Sequence, residues 1–139
     1  MNKKSLNQIG VIIVTYNSIA HIKKCLDAIL RSKLNEKQIV IVDNNSKDNI
    51  KRYLTKNFKS VIFVKNRINK GYGSAINQGA KVLQKFKHIK YYMFVNPDTI
   101  LFENCLINLF SNIKENKFAL ASPQLLNSDS SLQRSYGKF

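Results

Sequence analysis

Apolar positions along the chain alternate between short continuous runs and runs at helical spacing. Residues 9–15, Ile-Gly-Val-Ile-Ile-Val-Thr, form a β-branched run that ends in a polar stop, the pattern of a buried strand. Ile19, Ile22, Leu26, Ile29 and Leu30 then recur at helical spacing and predict an amphipathic helix to Arg31, capped by Asn17 or Ser18. A second apolar run, 38–42, stops at Asp43-Asn44-Asn45-Ser46, and Ser46 or Asp48 is expected to cap a short helix through Ile50, Tyr53 and Leu54. A third strand over 61–64, a polar loop over 66–73 and a helix over 75–86 follow. Residues 91–95, Tyr-Tyr-Met-Phe-Val, read as a strand buried on both faces. Pro97 has no N–H to continue a ladder, so this strand ends at Asn96-Pro97-Asp98. An amphipathic helix over 102–113 and a strand over 118–122 complete the pattern up to Pro123. Beyond it, 124–126 and 131–134 predict an antiparallel hairpin around Asn127-Ser128-Asp129.

Strand and helix alternate four times. This predicts right-handed βαβ units: an α/β fold with a mostly parallel open sheet, helices on both faces and a C-terminal hairpin. With 139 residues the chain reads as one domain over 1–139. The polar stops of four strands then share the carboxyl edge of the sheet, where open α/β sheets bind ligands. In a doubly wound order the first and fourth strands are neighbours at the switch point. That places Thr15-Tyr16 and Asp98 on facing sides of one cleft, with Asp43 lining its side.

Charge changes the picture only in part. The net charge is +15, from 23 Lys and Arg against 8 Asp and Glu. The lysines are spread over almost every segment, in pairs such as Lys3-Lys4 and Lys23-Lys24, with no basic tail. Such a balance attracts anions: nucleotide phosphates, nucleic acid or an acidic membrane face. No basic stripe with interleaved aromatics appears, so nucleic acid is not the expected partner. Cys25 and Cys105 fall on helical segments and read as buried free thiols, which favours a reducing compartment. No signal peptide or membrane-length apolar run is visible, so a cytoplasmic protein is expected, peripheral at the inner face of the cell membrane if bound there.

Several common site motifs are absent. Gly71-Tyr72-Gly73 is followed by Gly79, which does not match G-x-G-x-x-G, and it follows the third strand and not the first. There is no Walker A sequence, and Gly73-Ser74-Ala75 is not a nucleophile elbow. His21 and His88 have no metal-ligand partners at suitable spacing and read as surface residues. The glycines at 71, 73 and 79 suit a tight loop and close helix packing. Asp98 beside a nucleotide diphosphate would suffice for Mg²⁺ or Mn²⁺, since Mg²⁺ takes one or two carboxylates and completes its shell with phosphate and water.

Four stretches together carry a resemblance: Val-Ile-Ile-Val-Thr-Tyr-Asn-Ser (11–18), Ile-Val-Asp-Asn-Asn-Ser (41–46), Asn-Lys-Gly-Tyr-Gly-Ser-Ala-Ile-Asn-Gln-Gly (69–79) and Phe-Val-Asn-Pro-Asp-Thr (94–99). In this order they resemble family 2 glycosyltransferases, and most nearly the rhamnosyltransferase-like pattern. The resemblance implies a GT-A fold with a Rossmann-like nucleotide-binding half. It also implies a nucleotide-diphosphate sugar donor, such as dTDP-rhamnose or a UDP-sugar, and inverting transfer to a polysaccharide or lipid-linked acceptor in cell-envelope synthesis. By the same resemblance Thr15, Tyr16 and Asp43 meet the base and ribose, with Asn17 and Asn45 beside them. Asn69, Gly71, Gly73 and Asn77 line the donor site. Asn96 stands at the first position of the family's D-x-D motif, and Asp98 is its metal-binding end.

Family members continue into an acceptor-binding half that supplies the general base. Here only Glu103, Glu115 and Asp129 follow Asp98, the first two read as helical and the third as a turn residue. None is placed as a base, and 124–137 resembles the start of the acceptor side. The chain is therefore expected to be the donor-binding part, cut before the acceptor half and prone to self-association. Two alternatives stand beside this reading: a non-catalytic donor-binding remnant or partner subunit, and a basic nucleic-acid-binding α/β module.

Overall fold

The structure is a computed structural model and describes residues 6–133. Lys3-Lys4, Arg134 of the expected hairpin, and the part of the acceptor-side resemblance beyond 133 lie outside the described residues. The described residues fall into two compact units that divide between Glu103 and Asn104.

In the first unit, β1 (Ile9–Thr15), α1 (Ile19–Arg31), a 3₁₀ turn (Glu36–Gln38), β2 (Ile39–Asp43), α2 (Ile50–Asn57), β3 (Ile62–Lys65), α3 (Tyr72–Leu83) and β4 (Tyr91–Val95) follow in order. The strands form one parallel sheet in the order β3-β2-β1-β4. Thr15 lies opposite Asp43, and Asp43 opposite Lys65, at the carboxyl edge. The two crossovers through α1 and α2 step one way along the sheet, and the crossover through α3 returns. Right-handed connections put α1 and α2 on one face and α3 on the other.

Both faces of the central strands are buried, as their unbroken apolar runs require. On one face Ile12, Val14, Val40 and Val42 pack with Ala75 and Leu83 of α3 and with Ile89. On the other, Val11, Ile13, Ile39 and Ile41 are fully buried, as are Ile22, Leu26 and Ile29 of α1. Helix α3 lies very close to the sheet: a Cβ on Gly79 would stand 2.6 Å from Ile12 Cγ2. Gly10 of β1 is equally constrained: a Cβ there would stand 2.5 Å from Leu83 Cδ1.

Several expectations need correction. β4 alternates between partly buried and exposed residues, with Phe94 50% exposed, so it is not buried on both faces. An apolar run records side-chain type and cannot report whether a second layer covers it. Helix α3 starts at Tyr72, three residues before the expected Ala75, because Gly71 at φ 78° turns the chain directly into it. Asn35 and Gln38 form a capping box on the 3₁₀ turn, which was not foreseen and which moves the start of β2 from Gln38 to Ile39.

The second unit holds α4 (Cys105–Asn116) and a short hairpin. Asn104, left-handed at φ 63°, delays the helix start to Cys105, so Phe102 and Glu103 lie outside it. Cys105 is only partly buried, against the expectation, whereas Cys25 is buried; both are free thiols. Residues 118–122 form no strand. Lys117 closes α4 in the left-handed conformation, and the Phe118 N–H bonds back to the Ile113 carbonyl at 3.1 Å. This consumes the residue expected to start the strand, and no neighbouring strand pairs with the rest. The hairpin does form: Leu126 bridges Leu132 antiparallel, with Asp129 in its turn accepting from the Ser131 N–H and hydroxyl. No helix among the described residues is long and apolar enough to cross a membrane.

Candidate functional site

The carboxyl edge of the sheet is built by polar residues that end each strand and then tie it to the next. Asp43, fully buried, sits at the centre. Its Oδ1 accepts from the Thr15 hydroxyl at 3.1 Å and from the Ser46 hydroxyl, and its Oδ2 accepts from the Ser46 N–H at 3.1 Å. A buried carboxylate needs such donors to offset lost hydration. The Ser46 hydroxyl in turn accepts from the Asn17 N–H at 2.9 Å, and Asn17 Oδ1 accepts from the Lys47 N–H at 2.8 Å. The loops after β1 and β2 thus form one hydrogen-bonded body. Asn17 (φ 53°) and Asn45 (φ 68°) both hold the left-handed conformation that Asn tolerates in turns.

Helix capping crosses between these loops. Ser18 takes the N-cap position of α1, as expected, but makes no side-chain cap bond; the Ile19 N–H donates instead to Asp48 Oδ2 at 2.9 Å. Asp48 was expected to cap the helix that follows it, α2, whose N-cap Asn49 makes no side-chain cap bond.

A second network reaches the loop before α3. Asn44 Nδ2 donates to the Gly71 carbonyl at 3.1 Å, and Asn66 Nδ2 donates to Asn44 Oδ1 at 2.8 Å. Both amides are buried. The Gly71 N–H donates to Asn69 Oδ1 at 2.9 Å, closing the turn that Gly71 requires. Asn69, Gly71, Gly73 and Asn77 are exposed along this loop and the start of α3. Sequence reasoning missed Asn44, Asn66 and Ser46 as positioning residues. The available signal was a polar residue within three positions of a strand's carboxyl end, a place that stays close to the core.

Across the switch point, β4 pairs with β1 and ends in a turn closed by the Thr99 N–H donating to the Asn96 carbonyl at 3.1 Å. Asp98 is exposed in this turn, as is Asn96. Cys25 of α1 donates to the Asn96 carbonyl at 3.5 Å. Burial, reinforced by the Asp98 carboxylate, pushes the Cys25 thiol up to about 12.

The structure thus brings Thr15, Asn17, Asp43 and Asn45 into one cluster at the ends of β1 and β2. Tyr16, 54% exposed, stands at its surface. The turn bearing Asp98 ends the strand on the other side of β1. Among the described residues no group of three or more His, Cys, Asp or Glu could hold a metal ion. Asp98 therefore fits a hard cation only where phosphate oxygens and water complete its shell.

Comparison with known proteins gives a consistent picture. The profile of Glycosyl transferase family 2 matches residues 10–136. Poly-β-1,6-N-acetyl-D-glucosamine synthase of Staphylococcus aureus (strain COL) is 29% identical over 116 residues, covering 82% of this chain and 27% of the relative. The Staphylococcus epidermidis enzyme of that name is 26% identical over 110 residues, covering 78% and 26%. The chain thus spans about a quarter of the length of these relatives. Among solved structures, S. aureus TarS 1-349 in complex with UDP superimposes with a TM-score of 0.66 at 21% identity, covering 79% of this chain and 33% of that one. The mannosyltransferase PcManGT from Pyrobaculum calidifontis, in complex with GDP-Man and Mn²⁺, does so with a TM-score of 0.58 at 20% identity, covering 76% and 32%. At these identities the structural likeness establishes the fold: an α/β sheet of the GT-A glycosyltransferase kind.

Proposed function

The chain belongs to glycosyl transferase family 2, and we propose that it binds a nucleotide-diphosphate sugar in the crevice between β1 and β4. The sugar then passes, with inversion, to a saccharide or lipid-linked acceptor. The observation that carries this is the pairing of β4 with β1, which sets the Asp98 turn beside the Thr15–Asp43 cluster on one sheet edge. Relatives that make a polysaccharide, and neighbours solved with UDP and with GDP-Man, support a nucleotide-sugar donor. A UDP-sugar is the first candidate, and dTDP-rhamnose the second.

In this reading Tyr16 and the Thr15–Asp43 cluster meet the base and ribose. Asp43 Oδ2 accepts one bond within the chain, from the Ser46 N–H, and so keeps a lone pair. Thr15 and Asp43 are fully buried, however, so in this reading the base reaches them only as the loops after β1 and β2 part. The loop through Asn69, Gly71 and Gly73, with Asn77, borders the donor. Asp98, assisted by Asn96, would hold Mg²⁺ or Mn²⁺ together with the diphosphate. The bound metal would neutralise charge on the diphosphate as it leaves. The acceptor hydroxyl attacks the anomeric carbon, the bond to the diphosphate breaks, and the hydroxyl proton passes to a base. No residue of this chain is assigned as that base: Glu103 is exposed, Glu115 lies on α4 and Asp129 in the hairpin turn. Such a protein would act in the cytoplasm, at the inner face of the membrane when its acceptor is lipid-linked.

Calorimetry with UDP and Mn²⁺ on the parent and on Asp98→Asn tests the reading. Binding is expected in the parent, and most of its metal-dependent part should vanish in the variant. Because Asp98 is exposed beyond the strand end, the fold should survive the change. Equal UDP affinity in both proteins with Mn²⁺ present would remove Asp98 from the site.

A further inference from the structure

Away from the Asp98 turn, positive charge gathers around one cavity. It has a volume of about 570 Å³ and is lined by Lys51, Arg52 and Lys56 of α2 and Lys65 of β3, with Asp48 and Asn49 at its end. Four cations against one carboxylate leave a net charge of +3 in the lining. None of the four is ion-paired; among the described residues the one ion pair is Lys23 with Asp27.

Lys65 lies opposite Asp43, so the cavity adjoins the base end of the donor crevice, while the crevice's Asp98 end is set apart. β3 lies two strands from β1, roughly 10 Å at the usual strand spacing, on the side away from β4. A donor diphosphate held at Asp98 would lie at the opposite end of the sheet order. A diphosphate held at Asp98 would therefore leave the cations of α2 and β3 without that anion.

We propose that the α2–β3 groove is a second anion site that takes a phosphate-bearing group. Its volume falls within the range of small-molecule sites, about 300–1,000 Å³. Arg52 offers the planar fork that pairs with two phosphate oxygens, and the three lysines act as mobile point charges around it. Cations crowded in a concave surface raise the local potential, and a bound anion relieves their mutual repulsion. The shared chemistry is a phosphate oxyanion, supplied either by a lipid headgroup or by a free phosphate compound. The groove is argued from its own residues and does not depend on sugar transfer.

Inorganic pyrophosphate is the probe, followed by calorimetry. Three proteins are compared: the parent, Lys51→Ala/Arg52→Ala/Lys56→Ala, and a control with equal charge loss, Lys81→Ala/Lys85→Ala/Lys87→Ala. All six side chains are exposed, and Ala favours helix, so both variants should fold as judged by circular dichroism. If the groove variant fails to fold, Lys65→Thr replaces it. The expected result is about a tenfold or greater loss of pyrophosphate affinity in the groove variant, none in the control, and no displacement by UDP with Mn²⁺. Co-sedimentation with phosphatidylglycerol vesicles, lost in the groove variant only, would name a lipid headgroup as the source. Pyrophosphate binding without vesicle binding would name a free phosphate compound. Unchanged affinity in the groove variant, equal loss in both variants, or displacement by UDP would overturn the second site.

Discussion

Asp43→Asn probes how the carboxyl edge is held together. The fully buried carboxylate accepts three hydrogen bonds, from the Thr15 hydroxyl, the Ser46 hydroxyl and the Ser46 N–H. Asparagine keeps the shape and removes the charge. Its carbonyl retains the Ser46 N–H, and its amide faces two hydroxyls that must turn to accept. A hydrogen bond to a charged group contributes about 1.5–3 kcal/mol, against about 0.5–1.5 for a neutral one. Three bonds each weakened by about 1 kcal/mol predict a loss of about 3 kcal/mol, a large share of a typical stability of about 5–15. With a urea m-value of about 1–3 kcal/mol per molar, the unfolding midpoint should fall by roughly 1–3 M. Urea titration followed by far-UV circular dichroism reads this directly. Thr15→Val removes one donor, and in the double variant the effects should be less than additive, with a coupling of about 1 kcal/mol. An unchanged midpoint in Asp43→Asn, or strict additivity with Thr15→Val, would refute the view that this carboxylate ties β1 to β2.

Gly79→Ala places a Cβ 2.6 Å from Ile12 Cγ2; an overpacking cost of about 1–3 kcal/mol should exceed the helix gain of about 1, and the melting temperature should drop. Gly73→Ala meets nothing within 4 Å and should match or exceed the parent in the same melt. Asn44→Ala leaves the buried Asn66 amide without its acceptor and frees the Gly71 carbonyl, so about 1–3 kcal/mol of stability should be lost. Hydrogen exchange should quicken over residues 66–71; unchanged exchange there would mean the amide pair does not hold the loop. Cys25, with its thiol raised from 9.0 to about 12, should resist iodoacetamide at pH 8.5 in the folded protein and react once unfolded. Because the folded state holds this proton more tightly, Cys25 contributes stability below pH 9 that is lost as pH rises towards 12. Cys25→Ala should flatten that part of the stability profile, which denaturant midpoints across the alkaline range would reveal.

The sequence by itself determined most of the strands and helices of the first unit, and which polar residues end its strands. Unbroken β-branched runs bury both faces of β1 and β2, and apolar residues at helical spacing bury one face of α1. Both signals are local, because burial is written in each segment's own side chains. The polar stops at Thr15, Asp43 and Asn96–Asp98 were likewise visible as places where an apolar run ends, and four such motifs in order carry the family resemblance. Only the tertiary structure decided which polar group serves which. Asp48 caps α1 and not its own neighbour α2, across 29 positions of sequence. Cys25 meets the Asn96 carbonyl across 71. Asn44 and Asn66, polar and adjacent to turns, are buried because they satisfy each other. The strand expected at 118–122 is absent because a strand needs a partner's hydrogen bonds and the left-handed Lys117 spends Phe118 on closing the helix. Periodicity states how much of a segment wants to leave water. The pairing of donors with acceptors depends on which distant segments arrive beside it, and that is settled only when the sheet order β3-β2-β1-β4 forms.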